Sequence, residues 1–183
     1  MISTYPHPPE MPTYMRQLWA NPQPFTDACV KQILALGLDG LNVDLEPANS
    51  NDFDAADGVA YAQWLQGFSQ EIHRRTGAIV QVDVATWSPL WNLTLIGQTD
   101  VDQVATMSTY TSSWPSFQTQ LSYALQTTPL SKLTVGLETT VVDSADLSER
   151  FQMIQANSIS RVAVWTAPVP STWIPFLKSF VSP

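Results

Sequence analysis

The sequence predicts an α/β fold, a (β/α)₈ TIM barrel that is incomplete at its N-terminal side. Short runs of β-branched and aromatic residues alternate with longer stretches of helical periodicity, as in βαβ units around a parallel sheet. None of these runs leads into a glycine-rich phosphate-binding motif, so a nucleotide-binding doubly wound sheet is disfavoured. The chain has 183 residues, fewer than the roughly 250 of a complete barrel. We therefore expect residues 1–183 to form one domain that holds strands three to eight and lacks the first two βα units.

The strand and helix segments follow one another along the chain. Five runs bounded by Gly, Pro, Ser or Asp predict strands, with a weaker sixth at the start: 39–46, 79–85, 103–110, 133–139, 161–166 and 2–5. Apolar residues at helical spacing predict helices over 25–36, 55–75, 116–126, 144–156 and 171–181. The proline-rich segment 6–12 predicts an extended loop.

Charge and composition narrow the class of partner. The net charge is −8 with only eight Lys plus Arg, so the chain has no cationic footprint for nucleic acid and would be repelled by an anionic membrane. Seven Trp, five Tyr and seven Phe offer flat faces that could stack on sugar rings, although core packing is the more common role of such rings. Cys29 is the only cysteine, and His7 and His73 lack zinc-ligand spacing. We expect no metal and no cofactor.

The most informative segment is 39–46, DGLNVDLE. Because side chains alternate along a strand, Asn42, Asp44 and Glu46 share the face that points into a barrel, with Glu46 at the carboxyl end, where active sites of such barrels lie. Burying two carboxyl groups together costs desolvation free energy. Such an arrangement indicates either an ion pair that offsets this cost or a function for the two groups. The like charge of Asp44 would help to keep Glu46 protonated, as a general acid requires.

This segment resembles the DGxDxDxE signature of glycoside hydrolase family 18, the chitinases and chitobiases. Asp39, Gly40, Asp44 and Glu46 match the signature, and Asn42 replaces its middle Asp, as in chitobiase-like members. A weaker resemblance extends over roughly residues 28–178. The Asp83-Val84-Ala85 segment with Trp87 is similar to the end of the family's fifth strand, Met107 to its sixth strand, and Trp165 to the tryptophan that floors the sugar site.

The resemblance implies a retaining, substrate-assisted hydrolysis of β-linked N-acetylglucosamine bonds in chitin-like oligosaccharides or polysaccharides. Glu46 would act as general acid and base, and Asp44 would orient the acetamido group of the substrate. Asp39 and Asn42 would hold Asp44 by hydrogen bonds, and Asp83 would contact the sugar or the acid.

Two further residue choices stay open at this level. The family tyrosine stands one position late here, so either a bulge brings Tyr110 to the site or Thr109 occupies it. Glu138, at the end of its strand, would either line the cleft or pair with Arg161 in the wall. The acidic stretch 51–57 predicts the capped start of a helix, because carboxylates there complement the helix dipole.

Two alternatives to an enzyme remain: a non-catalytic, lectin-like sugar-binding barrel, and an inactive fragment. Family members are often secreted or lysosomal, which is the location we expect, although residues 1–15 lack the charged start and apolar core of a signal peptide.

Overall fold

A computed structural model describes residues 2–3, 8–141 and 143–181. Its six strands are β1 (Ile2–Ser3), β2 (Gly40–Asp44), β3 (Ile79–Val84), β4 (Gln103–Thr106), β5 (Leu133–Glu138) and β6 (Val162–Trp165). Its helices are α1 (Met11–Ala20), α2 (Gln23–Leu36), α3 (Ala55–Thr76), α4 (Leu93–Gln98), α5 (Trp114–Thr127), α6 (Ser144–Ala156) and α7 (Ile174–Val181), the last preceded by a 3₁₀ turn, Ser171–Trp173. Among the described residues, no helix combines the length and apolar character needed to span a bilayer.

The strands form one parallel sheet in the order β1 to β6, each beside its neighbour in the chain. β2 to β6 curl into a half-barrel, and the two residues of β1 pair with Val43 and Asp44 at one edge. The α/β class and the part-barrel architecture are therefore confirmed. The eight strands of a complete barrel are not present in the described part of the chain. Residues 4 and 5 of the weakest predicted strand lie outside it.

The two faces of the sheet have opposite character. The face beneath the helices is apolar and almost fully buried, with Val43, Val82, Val84, Val104, Val135 and Leu137. The strand register places polar or small residues together on the other face: Asn42, Gln81, Asp83, Ala105, Thr134, Gly136 and Ala163. The core thus lies between sheet and helices, while the concave face is left for polar contacts.

Two helices differ from the sequence prediction. α1 begins at Met11, inside the segment expected to be an extended loop, and Pro12 lies in its first turn. A proline is tolerated there because the first amide groups of a helix have no partner within the helix. Met11 and Met15 bury one face of α1 in the core. The short helix α4 was not predicted either, and its start is capped by Asn92, whose side chain accepts from the amide of Leu95 at 3.1 Å.

Candidate active site

A cleft of about 570 Å³ opens at the carboxyl ends of the strands, on the concave side of the sheet. Seven of the residues expected at a functional site line it: Asp44, Glu46, Asp83, Trp87, Met107, Tyr110 and Trp165. Ala85, Thr86, Ser108, Thr111, Ser116 and Gln120 complete the lining. Parallel strands end at one edge of a sheet, so residues distant in sequence meet there.

The floor of the cleft holds three carboxyl groups. Asp44 ends β2 and is only 7% exposed. Glu46 follows two residues later and is half-buried. Asp83, from β3, accepts hydrogen bonds from Asn42 Nδ2 at 2.9 Å and from Gln81 Nε2 at 3.2 Å. We call these three residues the cleft carboxyls.

The environment of Glu46 and Asp83 favours protonation of these two carboxyl groups. Burial, the charge of Asp44, a hydrogen bond between the carboxyl groups of Glu46 and Asp44, and the charge of Asp83 raise the pKa of Glu46 to about 7. Burial also raises the pKa of Asp83 to about 6; the bonds from Asn42 and Gln81 oppose this, and the Asp44 charge adds to it. No Lys, Arg or His stands among the described lining residues, so the like charges are not offset there. Glu46 can hold a proton near neutral pH while hydrogen-bonded to Asp44.

Tyr110 reaches the cleft by a turn rather than by a bulge. β4 ends at Thr106, and the amide of Tyr110 donates to the carbonyl of Met107 at 2.8 Å. The Tyr110 ring then lies against β5 at Gly136, where an added Cβ would stand 2.5 Å from ring atom Cε1. Gly136 is therefore what makes room for the ring. Burial, followed by the nearby carboxylates, raises the pKa of the Tyr110 hydroxyl above its usual value, which keeps it a hydrogen-bond donor.

Thr109, the other candidate for the tyrosine position, does not reach the cleft. It is fully buried, and its hydroxyl lies 2.8 Å from the Thr106 carbonyl and 2.7 Å from the Gly136 carbonyl. Its hydrogen is thus taken by the backbone where β4 and β5 end. The structure brings Tyr110, and not Thr109, to the cleft.

Asp39 and Asn42 do not have the arrangement that the family resemblance implies. Asp39 is exposed and precedes β2, whereas Asp44 ends it. At about 3.3 Å per residue, the backbone atoms of Asp39 and Asp44 are roughly 16 Å apart. The prediction that Asp39 holds Asp44 by a hydrogen bond is therefore wrong. The side chain of Asn42 is bound to Asp83, so it steadies the carboxyl of the next strand.

Glu138 ends β5 beside Trp165 of β6 and is not among the residues that line the cleft. Among the described residues no ion pair joins Glu138 to Arg161, whose guanidinium donates to the carbonyl of Ser131. The charge of Glu138 still contributes to the raised pKa of Tyr110, which places Glu138 near the rim of the cleft.

Two exposed indoles flank the carboxyl groups. Trp87 is 43% exposed and packs edge-on against Trp91, with ring centroids 4.9 Å apart. Trp165 is 50% exposed at the end of β6. The flat, partly exposed faces of these two rings suit the apolar faces of sugar rings.

Sequence reasoning missed five polar residues of the lining: Thr86, Ser108, Thr111, Ser116 and Gln120. Thr86 and Ser108 come just after β3 and β4, so the rule that sites lie at the carboxyl ends of strands could have identified them. Gln120 lies within α5, and nothing in the sequence distinguishes it from the other glutamines of that helix. Among the described residues, no group of His, Cys, Asp and Glu side chains has the arrangement of a metal site.

Comparison with known proteins shows the fold. No family model matches the sequence, and no curated protein matches it. The fold is similar to that of the spore cortex-lytic enzyme SleL from Bacillus megaterium QM B1551, with a TM-score of 0.79 and 13% identity over 96% of this chain and 57% of that chain. The chain thus spans little more than half the length of SleL. At this identity the likeness concerns the fold alone, and membership of glycoside hydrolase family 18 stays an expectation from the motif.

Proposed function

We propose that this protein is a glycosidase that hydrolyses β-linked N-acetylglucosamine bonds in a neutral, chitin-like glycan, with Glu46 as its general acid and base. The observation that carries the proposal is the proton-holding carboxyl group at the floor of an open cleft flanked by two exposed indoles. A general acid works best when its pKa lies near the working pH, and the pKa of Glu46 is about 7. The similarity to a protein named as cortex-lytic is consistent with action on a glycan.

The proposed reaction has two steps and retains the anomeric configuration. In the first, Glu46 gives its proton to the glycosidic oxygen while the acetamido oxygen of the substrate attacks the anomeric carbon. The bond to the leaving sugar breaks, and an oxazolinium ion forms. In the second step, the Glu46 carboxylate takes a proton from a water molecule, whose oxygen attacks the anomeric carbon and opens the ring. Glu46 is thereby returned to its protonated state.

The neighbours of Glu46 have supporting roles in this proposal. Asp44 accepts a hydrogen bond from protonated Glu46 in the free protein, and on substrate binding it turns to the acetamido N–H and stabilises the positive charge of the oxazolinium ion. Asp83 holds negative charge near the acid and is itself positioned by Asn42. The Tyr110 hydroxyl donates to the acetamido oxygen, and Trp165 and Trp87 bind sugar faces.

A lectin-like role is the main competitor, because the exposed indoles serve binding as well as catalysis. Binding alone does not require a carboxyl group that holds a proton near pH 7, and this favours the enzyme. The discriminating experiment is hydrolysis of 4-methylumbelliferyl chitobioside by the 183-residue chain, with Glu46→Gln as the control. Turnover that is lost in Glu46→Gln supports the proposal. Saturable binding without turnover in the folded protein contradicts it and selects the lectin.

A further inference from the structure

A tight turn between β3 and α4 brings Trp87 to the cleft. It comprises residues 87–91, and we call it the indole turn. Ser88, Leu90 and Trp91 are buried, and the Trp87 ring packs edge-on against Trp91. The amide of Leu90 donates to Ser88 Oγ, and the amide of Trp91 donates to the Ser88 carbonyl, both at 3.3 Å. The place of Trp87 in the cleft therefore follows from the place of the whole turn.

The indole turn lies directly on the first turn of α3, at Gly58. Gly58 is buried, and a Cβ at this position would stand 2.4 Å from the carbonyl oxygen of Pro89 and 3.4 Å from that of Leu90. A Cβ does not approach another heavy atom within about 3.0 Å, and a backbone carbonyl cannot rotate away as the end of a side chain can. Only glycine at position 58 lets the turn lie this close to the helix.

A second glycine of α3 indicates that this contact, and not the backbone, requires Gly58. Neither Gly58 nor Gly67 has a positive φ, and the amide of Gly58 donates to the Asp54 carbonyl at 3.1 Å, as in a regular helix. Glycine is less favourable than alanine within a helix, so neither position gains from it locally. A Cβ on Gly67 would have no atom from outside its own stretch of helix within 4 Å. The two glycines are therefore a matched pair that differs in the contact with the indole turn.

The contact joins the two segments of the chain that carry the proposed acid and one of the exposed indoles. Glu46 stands in the connection from β2 to α3, and Trp87 stands in the connection from β3 to α4. With Gly58 against Pro89, α3 fixes these two connections relative to each other. We propose that Gly58 is a positioning residue that sets the place of Trp87 relative to Glu46 and thereby the affinity for the glycan. This inference rests on the proposed function, in which Trp87 binds a sugar face.

Binding is measured best in a chain that cannot consume its ligand. Calorimetry with the Glu46→Gln chain measures the affinity for the tetramer of β-1,4-linked N-acetylglucosamine. The test variant is Gly58→Ala, which adds the one atom that would collide with the indole turn. Its matched control is Gly67→Ala, which adds the same atom to the same helix in open space. Both variants are also made together with Trp87→Ala, so that a double-mutant cycle measures whether Gly58 acts through the indole.

Gly58→Ala should weaken binding of the tetramer about tenfold, because the turn must move by about 1 Å to bring the 2.4 Å approach to an ordinary contact distance, and it carries the Trp87 ring with it. Trp87→Ala should weaken binding about thirtyfold, since tryptophan anchors often have effects of this size. Gly67→Ala should change the affinity less than about twofold, as should Gly58→Ala once the Trp87 ring is absent. Unchanged affinity in Gly58→Ala or in Trp87→Ala, or a loss in Gly58→Ala that persists without Trp87, would overturn the inference.

A purely structural role of Gly58 has a different kinetic signature. With Glu46 intact, misplacement of Trp87 raises KM and leaves the basic limb of the pH–rate profile in place, whereas a loss of folded molecules lowers kcat at constant KM. If Gly58→Ala does not fold, Pro89→Gly tests the contact from the other side, because it frees the backbone of the turn and leaves α3 unchanged. Pro89→Gly should weaken tetramer binding a fewfold when Trp87 is present and leave it unchanged with Trp87→Ala. No loss, or equal losses in both backgrounds, would again overturn the inference.

The failure of this inference and of the proposed function look different. Turnover by the unmodified chain, with no effect of Gly58→Ala on binding, removes only the positioning role of Gly58. A Gly58-dependent affinity without turnover removes only the catalytic role of Glu46. Absence of any binding of the tetramer contradicts both.

Discussion

Two acidic clusters of the molecule have opposite electrostatics. The cleft carboxyls share a site without a cation, and the pKa values of Glu46 and Asp83 are raised, to about 7 and about 6. The second cluster, Asp54 and Asp57, caps the start of α3; we call it the capping cluster. Its member Asp57 has a lowered pKa, first because Arg16 donates to it.

Both carboxyl groups of the capping cluster accept hydrogen bonds from nearby donors. Asp54 accepts from the amides of Ala56 and Asp57 at 2.8 and 3.0 Å, and Asp57 accepts from the amide of Asp54 at 3.0 Å. Arg16 then donates to both oxygens of Asp57, at 2.8 and 2.7 Å. The expectation that segment 51–57 caps a helix is confirmed.

The comparison teaches that the surroundings of a carboxyl group decide between stability and chemistry. Where donors converge, as at Asp57, the ionised form is stabilised and fixes a helix. Where burial and like charges dominate, as at Glu46, the protonated form persists, and ionising the group lowers the stability of the fold. Carboxyl groups whose pKa is shifted in this way are common at functional sites.

The largest expected effect separates the two clusters by function. Glu46→Gln should lower turnover of an N-acetylated tetramer by about 10³-fold, because general acid catalysis contributes 10²- to 10⁴-fold, while ligand affinity stays within a fewfold. Asp57→Asn removes one carboxylate from the capping cluster and serves as the matched control, with turnover per folded molecule unchanged. Initial rates and calorimetry on both variants give the comparison. Equal loss of turnover in the two would mean that Glu46 acts through the fold.

The next effect concerns how Asp44 sets the pH dependence. With Glu46 as acid, kcat/KM should fall as pH rises through about 7, since the proton is then lost. Asp44→Asn removes the negative neighbour and the carboxylate that accepts the Glu46 hydrogen bond, so the pKa of Glu46 falls and the basic limb moves to lower pH. The limb should stay above the usual 4.5, because burial is the largest cause of the shift. We also expect a rate loss of about 10²-fold from the lost charge stabilisation. A limb that does not move in a pH–rate profile would assign it to another group.

The part of this contrast that could be predicted rests on regular spacing. The alternation of side chains placed Asp44 and Glu46 on the concave face. The runs of β-branched residues predicted the strands near whose carboxyl ends Asp83 and Trp165 lie. These patterns depend on neighbours in sequence, which a single chain displays directly.

The remainder depends on tertiary contacts that have no local signature. The partner of Asn42 is decided by the register between β2 and β3, and Arg16 meets Asp57 only because α1 packs near α3. Tyr110 enters the cleft because β4 ends early and Gly136 leaves space, which strict alternation could not foresee. Asp39 was misplaced because its role came from the family resemblance and not from the length of β2.

A smaller effect is expected on stability at the capping cluster. Asp57→Asn should lower the free energy of unfolding at pH 7 by about 1–2 kcal/mol, because charge-assisted hydrogen bonds to a partly exposed arginine are lost. The pKa of Asp57 is lowered in the fold, so its contribution is present above the usual 3.8 and is lost as pH falls through the folded value. The difference between the variant and the unmodified chain should therefore shrink at pH 3. Urea denaturation at the two pH values measures this, and a constant difference would contradict the ionic origin.

The smallest effect has the opposite sign and belongs to Glu46. Its pKa rises from 4.5 to about 7 on folding, so the folded state binds the proton more tightly and stability falls as pH increases through that window. Glu46→Gln has no charge to bury and should stabilise the fold at pH 8, by about 1 kcal/mol once solvent around a half-buried group is discounted. At pH 4, where the carboxyl group is protonated in both states, the variant and the unmodified chain should unfold alike. Thermal unfolding at both pH values decides this: a variant that is less stable at pH 8 would mean that ionised Glu46 is stabilised by the fold, and the contrast with Asp57 would disappear.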